Sequence, residues 1–280
     1  MAKAIMIQGT ASGAGKTILT LALCRIFKQD GHVVAPFKAQ NMTSNTCLTE
    51  NREEIAVSQL LQALAAGVTP SSSMNPVILK YQHNQKATQL ILNGKPHDVV
   101  NAYNFKETKK KLVPEIMGAY TRLASKYDII VIEGAGSPVE LNLNREDIVN
   151  MGMAKRANAP VLLVSDIDRG GIFASLYGTI NLLDETSKAH VKATIVNRFK
   201  GDAAHFSDGV RILEDITKLP VAGVIPYTAI NLPEEDALFD NNAAMTPEVD
   251  YDSQFDQIAE VVRKSLDMRL IYEILDGGMN

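Results

Sequence analysis

Short apolar, β-branched runs alternate with longer amphipathic segments along most of this chain. Residues 4–8, 33–37, 128–132, 160–164, 193–197 and 221–225 are apolar almost without interruption, the pattern of strands buried on both faces. Between them, residues 15–29, 54–66, 105–125, 148–157, 171–183 and 203–217 repeat apolar positions at intervals of three and four, as helices with one buried face do. This alternation predicts an α/β fold, a mostly parallel sheet flanked by crossover helices, with ligands gathering where the strands end. Residues 67–104 break the rhythm with Pro70, the serines 71–73 and Pro76, and offer one short strand at 89–92. They read as an insertion beside the site. The stretch 232–250 is acidic and loop-like, and a helical period resumes over 255–275. The expected division is a domain over 1–231, an acidic linker over 232–252, and a C-terminal helix within 253–280 docked on or near that domain.

Directly after the first apolar run stands Gly9-Thr10-Ala11-Ser12-Gly13-Ala14-Gly15-Lys16-Thr17. A strand that ends in small residues and turns into a helix aims several backbone N–H groups at one point, and the helix dipole adds positive charge there. The backbone of Gly13, Ala14 and Gly15 is thus expected to cradle phosphates, with Lys16 on the β- and γ-phosphates and the Thr17 hydroxyl on Mg²⁺. The spacing departs by one position from the usual motif, because Thr10 stands where the first glycine belongs. The fold class this predicts is a P-loop NTPase.

Other candidates sit where loops should follow strands. Glu133 ends an apolar strand and precedes Gly134-Ala135-Gly136, the expected place for a Mg²⁺ carboxylate. Glu54 opens a predicted helix and reads either as a second metal carboxylate or as stabilisation of the helix N-terminus. Lys38 offers a cationic clamp for a transferring phosphoryl group, or is a surface lysine beside Phe37. Asp166, Asp168 and Arg169 form either part of the ligand site or an ion-pair network that shapes a loop. Asn197 carries the donor and acceptor needed to read an adenine edge, with Arg198 and Pro226 as ring neighbours; the alternative is a turn-capping asparagine.

Composition removes several classes. The formal charge of −4 over 280 residues gives no footprint for nucleic acid, and the cluster of Lys106 with Lys109–Lys111 reads as a solvated helix face. Cys24 and Cys47 are too few for a disulfide framework. Histidines at 32, 83, 97, 190 and 205 have no metal-ligand spacing, so no zinc site is expected, and no nucleophile elbow is present. Neither a signal peptide nor an apolar run of membrane-crossing length is found. The expectation is a cytoplasmic protein that binds neither nucleic acid nor membrane.

Taken in order, residues 8–17, 36–42, 59–62 with Ala65-Ala66, 74–80, 133–143, 147–152, 166–171, 197–202 and 223–226 carry a resemblance over most of residues 4–226. The chain resembles the N-terminal ATP-binding domain of the cobyric acid synthase family, glutamine-dependent amidotransferases of cobalamin biosynthesis in the dethiobiotin-synthetase-like superfamily. That resemblance implies an ATP- and Mg²⁺-dependent carbon–nitrogen ligase. It would activate carboxylates of a corrinoid, adenosylcobyrinic acid a,c-diamide, as acyl phosphates for amidation by ammonia. By the same resemblance Lys16 and Lys38 hold the phosphoryl group, Thr17, Glu54 and Glu133 the metal, and Asn197 the adenine. Ser137, Glu140 and Asn142 would face the substrate. Family members usually continue into a glutaminase domain with a cysteine nucleophile and a His–Glu pair. Here the segment that resembles the end of the full-length family chain follows a short linker instead. The expectation is that ammonia comes free or from a separate glutaminase subunit, and that the chain forms a homodimer. Two other readings share the P-loop. One is a dethiobiotin-synthetase-like ligase acting on another carboxylic or carbamic acid. The other is a partitioning-type ATPase switch, which would carry a second lysine where Ala11 stands.

Overall fold

In the first strand, β1 (Lys3–Gly9), side chains are apolar on both sides, so each face of the strand needs its own cover. Ile5 and Ile7 face one apolar cluster and Ala4 and Met6 the other. The computed structural model describes residues 2–81, 88–100, 102–142, 147–229 and 250–277, without the side chains of 102–107. After β1 come α1 (Lys16–Gln29), β2 (Val34–Phe37), β3 (Gln40–Met42), β4 (Thr46–Leu48), β5 (Glu54–Ala56) and α2 (Val57–Ala66). Then follow β6 (Val77–Tyr81), β7 (Thr88–Leu92), β8 (Lys95–Val100), α3 (Ala102–Ala124), β9 (Ile129–Glu133), α4 (Met151–Ala157) and β10 (Val161–Asp166). The rest comprises α5 (Ile172–Leu182), α6 (Glu185–Lys188), β11 (Val191–Phe199), α7 (Ser207–Thr217), β12 (Val221–Pro226), α8 (Tyr251–Ser265) and α9 (Met268–Leu275).

Six strands form one sheet in the order β12-β11-β10-β1-β9-β2, and every pairing in it is parallel. On one face α1, α2, α8 and α9 cover Ile5, Ile7, Ile129, Val131, Leu162 and Val164; on the other α3, α4, α5 and α7 cover Met6, Ile130, Ile132 and Leu163. Placing β9 between β1 and β2 puts the end of β9 beside the end of β1 on one side and the end of β2 on the other. The residues that follow those three strands therefore meet at one edge.

Several expectations change. Glu54 does not open a helix: residues 54–56 pair antiparallel with 46–48, and α2 begins three residues later at Val57. Hairpin pairing overrides the acidic helix-start signal, and with it goes the reading of Glu54 as a helix N-terminal charge. The insertion supplies β6, β7 and β8, which run antiparallel and join β3 in a second sheet of order β3-β6-β7-β8. The final helix is two, because Leu266 is extended and bridges Gly223, after which Asp267 accepts a hydrogen bond from the Leu270 amide and starts α9. The expected linker falls almost wholly on residues 230–249, outside the described residues.

The C-terminal helices are held by more than apolar contact. Phe255, Ile258, Ala259 and Val262 are buried against α1, and the nearly buried Arg25 guanidinium reaches Asp256 at 2.7 Å and Asp252 at 3.0 Å. Arg263 and the Tyr272 hydroxyl both meet Asp30 just beyond α1. Replacing Phe255 by Ala should therefore cost about 3–5 kcal/mol in urea unfolding, the range for an aromatic lost from a core. A loss below about 1 kcal/mol would show that α8 is not part of this core.

Candidate active site

The loop from Gly9 to Gly15 joins β1 to α1, and no side chain caps the helix. Its N-terminal amides and dipole are thus directed at the space beyond the loop, an arrangement suited to phosphate oxygens. Gly15 has φ 100°, and a Cβ there would stand 2.0 Å from Nδ2 of Asn197, so only glycine fits. Lys16 lies along the loop, its Nζ donating to the carbonyls of Ala11 at 2.9 Å and Gly136 at 3.0 Å. Two carbonyls thus hold the cation where phosphate oxygens can replace them.

Glu133 is 1% exposed and gathers the remaining groups. Its Oε1 accepts from the Thr17 hydroxyl at 2.8 Å and from Lys38 Nζ at 2.9 Å. Its Oε2 accepts from Gln62 Nε2 at 2.6 Å and, more distantly, from Gln59 Nε2 at 3.4 Å. Lys38 is itself buried, so the surface-lysine alternative is excluded. Its backbone is fixed from the insertion: its amide donates to the Met74 carbonyl at 2.8 Å and its carbonyl accepts from Asn75 Nδ2 at 2.9 Å. The juxtaposed hydroxyl and carboxylate are hard oxygen donors of the kind Mg²⁺ takes alongside substrate phosphates, so the residues fit that ion.

The other candidates are distributed around this centre. Glu54 forms an ion pair with Lys80 and accepts a hydrogen bond from the Thr46 hydroxyl, its carboxylate turned into the β4–β5 hairpin. Asn197 comes to the P-loop, where Nδ2 donates to the Ala14 carbonyl at 2.9 Å. Arg198 has φ 60° and pairs with Asp166 at 3.1 Å, while Pro226 ends β12 opposite Phe199. Arg169 also reaches Asp166, and Lys200 pairs with Asp168, so the ion-pair network among these loops is built. Ser137 is buried, and Glu140 and Asn142 are exposed. Asn142 is followed by residues 143–146, which are outside the description.

Sequence reading gave no role to Asp147, Asn150 and Gly152, and their work is structural. Asp147 accepts from the amides of Val149, Asn150 and Gly152. Asn150 brackets Ala135, donating to its carbonyl at 2.6 Å and accepting from its amide at 3.1 Å. A Cβ on Gly152 would lie 1.8 Å from the Asp147 carbonyl oxygen. Together they set the loop that carries the Gly136 carbonyl to Lys16. The signal in sequence was the run of Asp, Asn and Gly at spacings of three and two before a helix. Burial pushes the Cys24 thiol far up, and burial followed by the charge of Glu54 pushes Cys47 up to about 11. Among the described residues no group of three or more His, Cys, Asp and Glu side chains is placed to hold a metal ion, and no helix is long and apolar enough to cross a membrane.

A parallel sheet whose first strand ends in this loop, with Lys16 lying along it and Thr17 facing a carboxylate on the neighbouring strand, defines a P-loop nucleotide-binding domain of the α/β class. The chain belongs to the CobQ/CobB/MinD/ParA nucleotide binding domain family, which it matches over residues 5–239. It is 54% identical over 242 residues to cobyric acid synthase of Lachnoclostridium phytofermentans, covering 85% of this chain and 47% of that one. To cobyric acid synthase of Listeria monocytogenes serovar 1/2a it is 50% identical over 248 residues, 89% of this chain and 48% of that one. The chain thus spans about half the length of the curated relatives it matches. Among solved structures, the septum site-determining protein MinD of Pyrococcus horikoshii OT3, complexed with Mg-ADP, aligns with a TM-score of 0.46 at 20% identity, covering 94% of this chain and 97% of that one.

Because Lys38 supplies the cationic partner of a buried carboxylate, Lys38→Met should cost about 3–5 kcal/mol by leaving Glu133 uncompensated. Urea unfolding at neutral pH without metal measures this. A variant as stable as the parent would mean that Glu133 is not held as a charge.

Proposed function

We propose that this domain is the ATP- and Mg²⁺-dependent ligase portion of a cobyric acid synthase-like enzyme, activating corrinoid carboxylates for amidation. The observation that carries this reading is the junction at Glu133, where one buried carboxylate meets the P-loop hydroxyl of Thr17 and the ammonium of Lys38. Thr17 and Glu133 would hold Mg²⁺, which when bound offsets phosphate charge. Glu54 is the candidate second carboxylate, and that role requires its pair with Lys80 to open. Lys16 and Lys38 stabilise the charge spread over the transferring phosphoryl group, and positioning does the rest.

In the proposed reaction a substrate carboxylate oxygen attacks the γ-phosphorus of ATP, the bond to the bridging oxygen breaks, and ADP leaves with the electron pair. Ammonia then attacks the acyl carbon, the carbon–oxygen bond to phosphate breaks, and the surplus proton on nitrogen passes to solvent. No protein nucleophile takes part. Asn197, Arg198 and Pro226 would border the adenine, and Ser137, Glu140 and Asn142 the corrinoid side chain. The amide nitrogen of Asn197 already serves Ala14, which leaves its oxygen to read a base amino group. Ammonia is supplied free or by a glutaminase subunit, and a homodimer would widen the cleft for so large a substrate.

Incubation of the chain with ATP, Mg²⁺, ammonium and adenosylcobyrinic acid a,c-diamide tests this. Mass spectrometry should find hydroxyl replaced by amino groups on the corrinoid, with ADP formed in step. Lys16→Ala should lower that turnover by about 100-fold or more while circular dichroism stays unchanged. ATP turnover without any corrinoid product, or undiminished turnover in the Lys16 variant, would overturn the reading.

A further inference from the structure

Thr17 and Glu133 belong to different elements 116 positions apart, and a cation held between them needs both oxygens set in advance. Two side chains of α2 meet that need. Gln59 and Gln62 are three residues apart, so they share a face, and both are 0% exposed in a helix whose other buried residues are mainly apolar. A buried amide without partners costs about 1–3 kcal/mol, so what these amides bond to reveals why they are there. Nε2 of Gln62 has two hydrogens. One goes to Glu133 Oε2 at 2.6 Å and the other to the Thr17 carbonyl at 3.2 Å. A single nitrogen thus ties the carboxylate to the first turn of the P-loop helix. Gln59 adds its longer contact to the same carboxylate oxygen, and its own Oε1 is held by Asn41 Nδ2 at 2.9 Å and the Ser58 hydroxyl at 3.1 Å. With Oε2 taken by amides, Oε1 is the oxygen presented to Thr17 and Lys38.

We propose that Gln62 is the positioning residue of the metal site, supported by Gln59 and Asn41: it selects the Glu133 oxygen that faces the metal and fixes its separation from Thr17. The inference rests on the reading that Thr17 and Glu133 hold Mg²⁺. The chemistry of the amide suits the task. It donates twice without charge, whereas a lysine at 62 would neutralise the carboxylate that a cation needs and a glutamate would repel it. Methionine has similar length and volume and no donor, so it removes the tie and little else.

The test is Mg²⁺ titration of the binding of a fluorescent ADP analogue to the whole chain, in wild type, Gln62→Met and Gln62→Glu, each compared with binding in EDTA. In Gln62→Met the Mg²⁺ concentration for half-maximal enhancement should rise about 10- to 100-fold, the usual cost of losing a group that orients a metal ligand. Binding in EDTA should stay close to wild type, because the phosphate loop is untouched; a general loss of structure would weaken both. Gln62→Glu should raise the Mg²⁺ requirement at least as far, and it carries the test if Gln62→Met loses its cooperative melt. An unchanged Mg²⁺ requirement in a folded variant overturns the proposal, and so does failure of both variants to fold, which would make Gln62 a structural residue. A wild type that binds the analogue equally with and without Mg²⁺ instead removes the metal reading beneath it.

Discussion

Glu133 carries its carboxylate where water does not reach, and a charge at that depth is tolerable only when ringed by donors and a cation. Among the described residues its donors come from three places: Thr17 on α1, Lys38 after β2, and Gln59 with Gln62 on α2. The sheet order answers this demand. With β9 between β1 and β2, the end of the strand that bears Glu133 is flanked by the strand that feeds the P-loop and the strand that feeds Lys38. Moving β9 to an edge would leave the carboxylate without one of them.

The surrounding segments then read as layers of support. The insertion anchors the backbone of Lys38 through Met74 and Asn75, and Asp147 with Asn150 sets the turn that brings the Gly136 carbonyl to Lys16. The exposed Glu140, Leu141 and Asn142 are on the same loop but outside this bonded set. The contrast is physical: the part that would handle phosphate and metal is fixed by buried hydrogen bonds, and the part that would meet an acceptor faces solvent.

The central sheet was legible because its strands are buried on both faces and so cannot hide a polar residue; apolar runs and strands agree to within a residue or two. That Thr17 and Glu133 come together was legible because strand ends in such sheets converge. Glu54 was misplaced, since an acid before an apolar segment looks the same whether a helix or a hairpin strand follows. The second sheet was visible as a single strand because its partners β6 and β8 mix Pro96, His97 and Lys80 into short runs with no clean period. In the sequence Gln59 and Gln62 stand only within the stretch 59–62 that carries the family resemblance, with no role read for either. Only the packing of α2 against α1 and β2 turns them toward a carboxylate far away in the chain.

The docking of α8 on α1 also has a consequence for how the chain is made. Arg25 and Asp256 are 231 positions apart, so the helix that carries the phosphate loop leaves the ribosome well before the helix that covers it. At about 5–20 residues per second, its apolar outer face waits roughly 10 to 50 seconds for its partner. Through that interval the side of α1 that bears Arg25 and Gln29 lacks the cover that Asp252 and Asp256 of α8 later give it. The mature fold hides this exposure, and synthesis from the N-terminus makes it unavoidable.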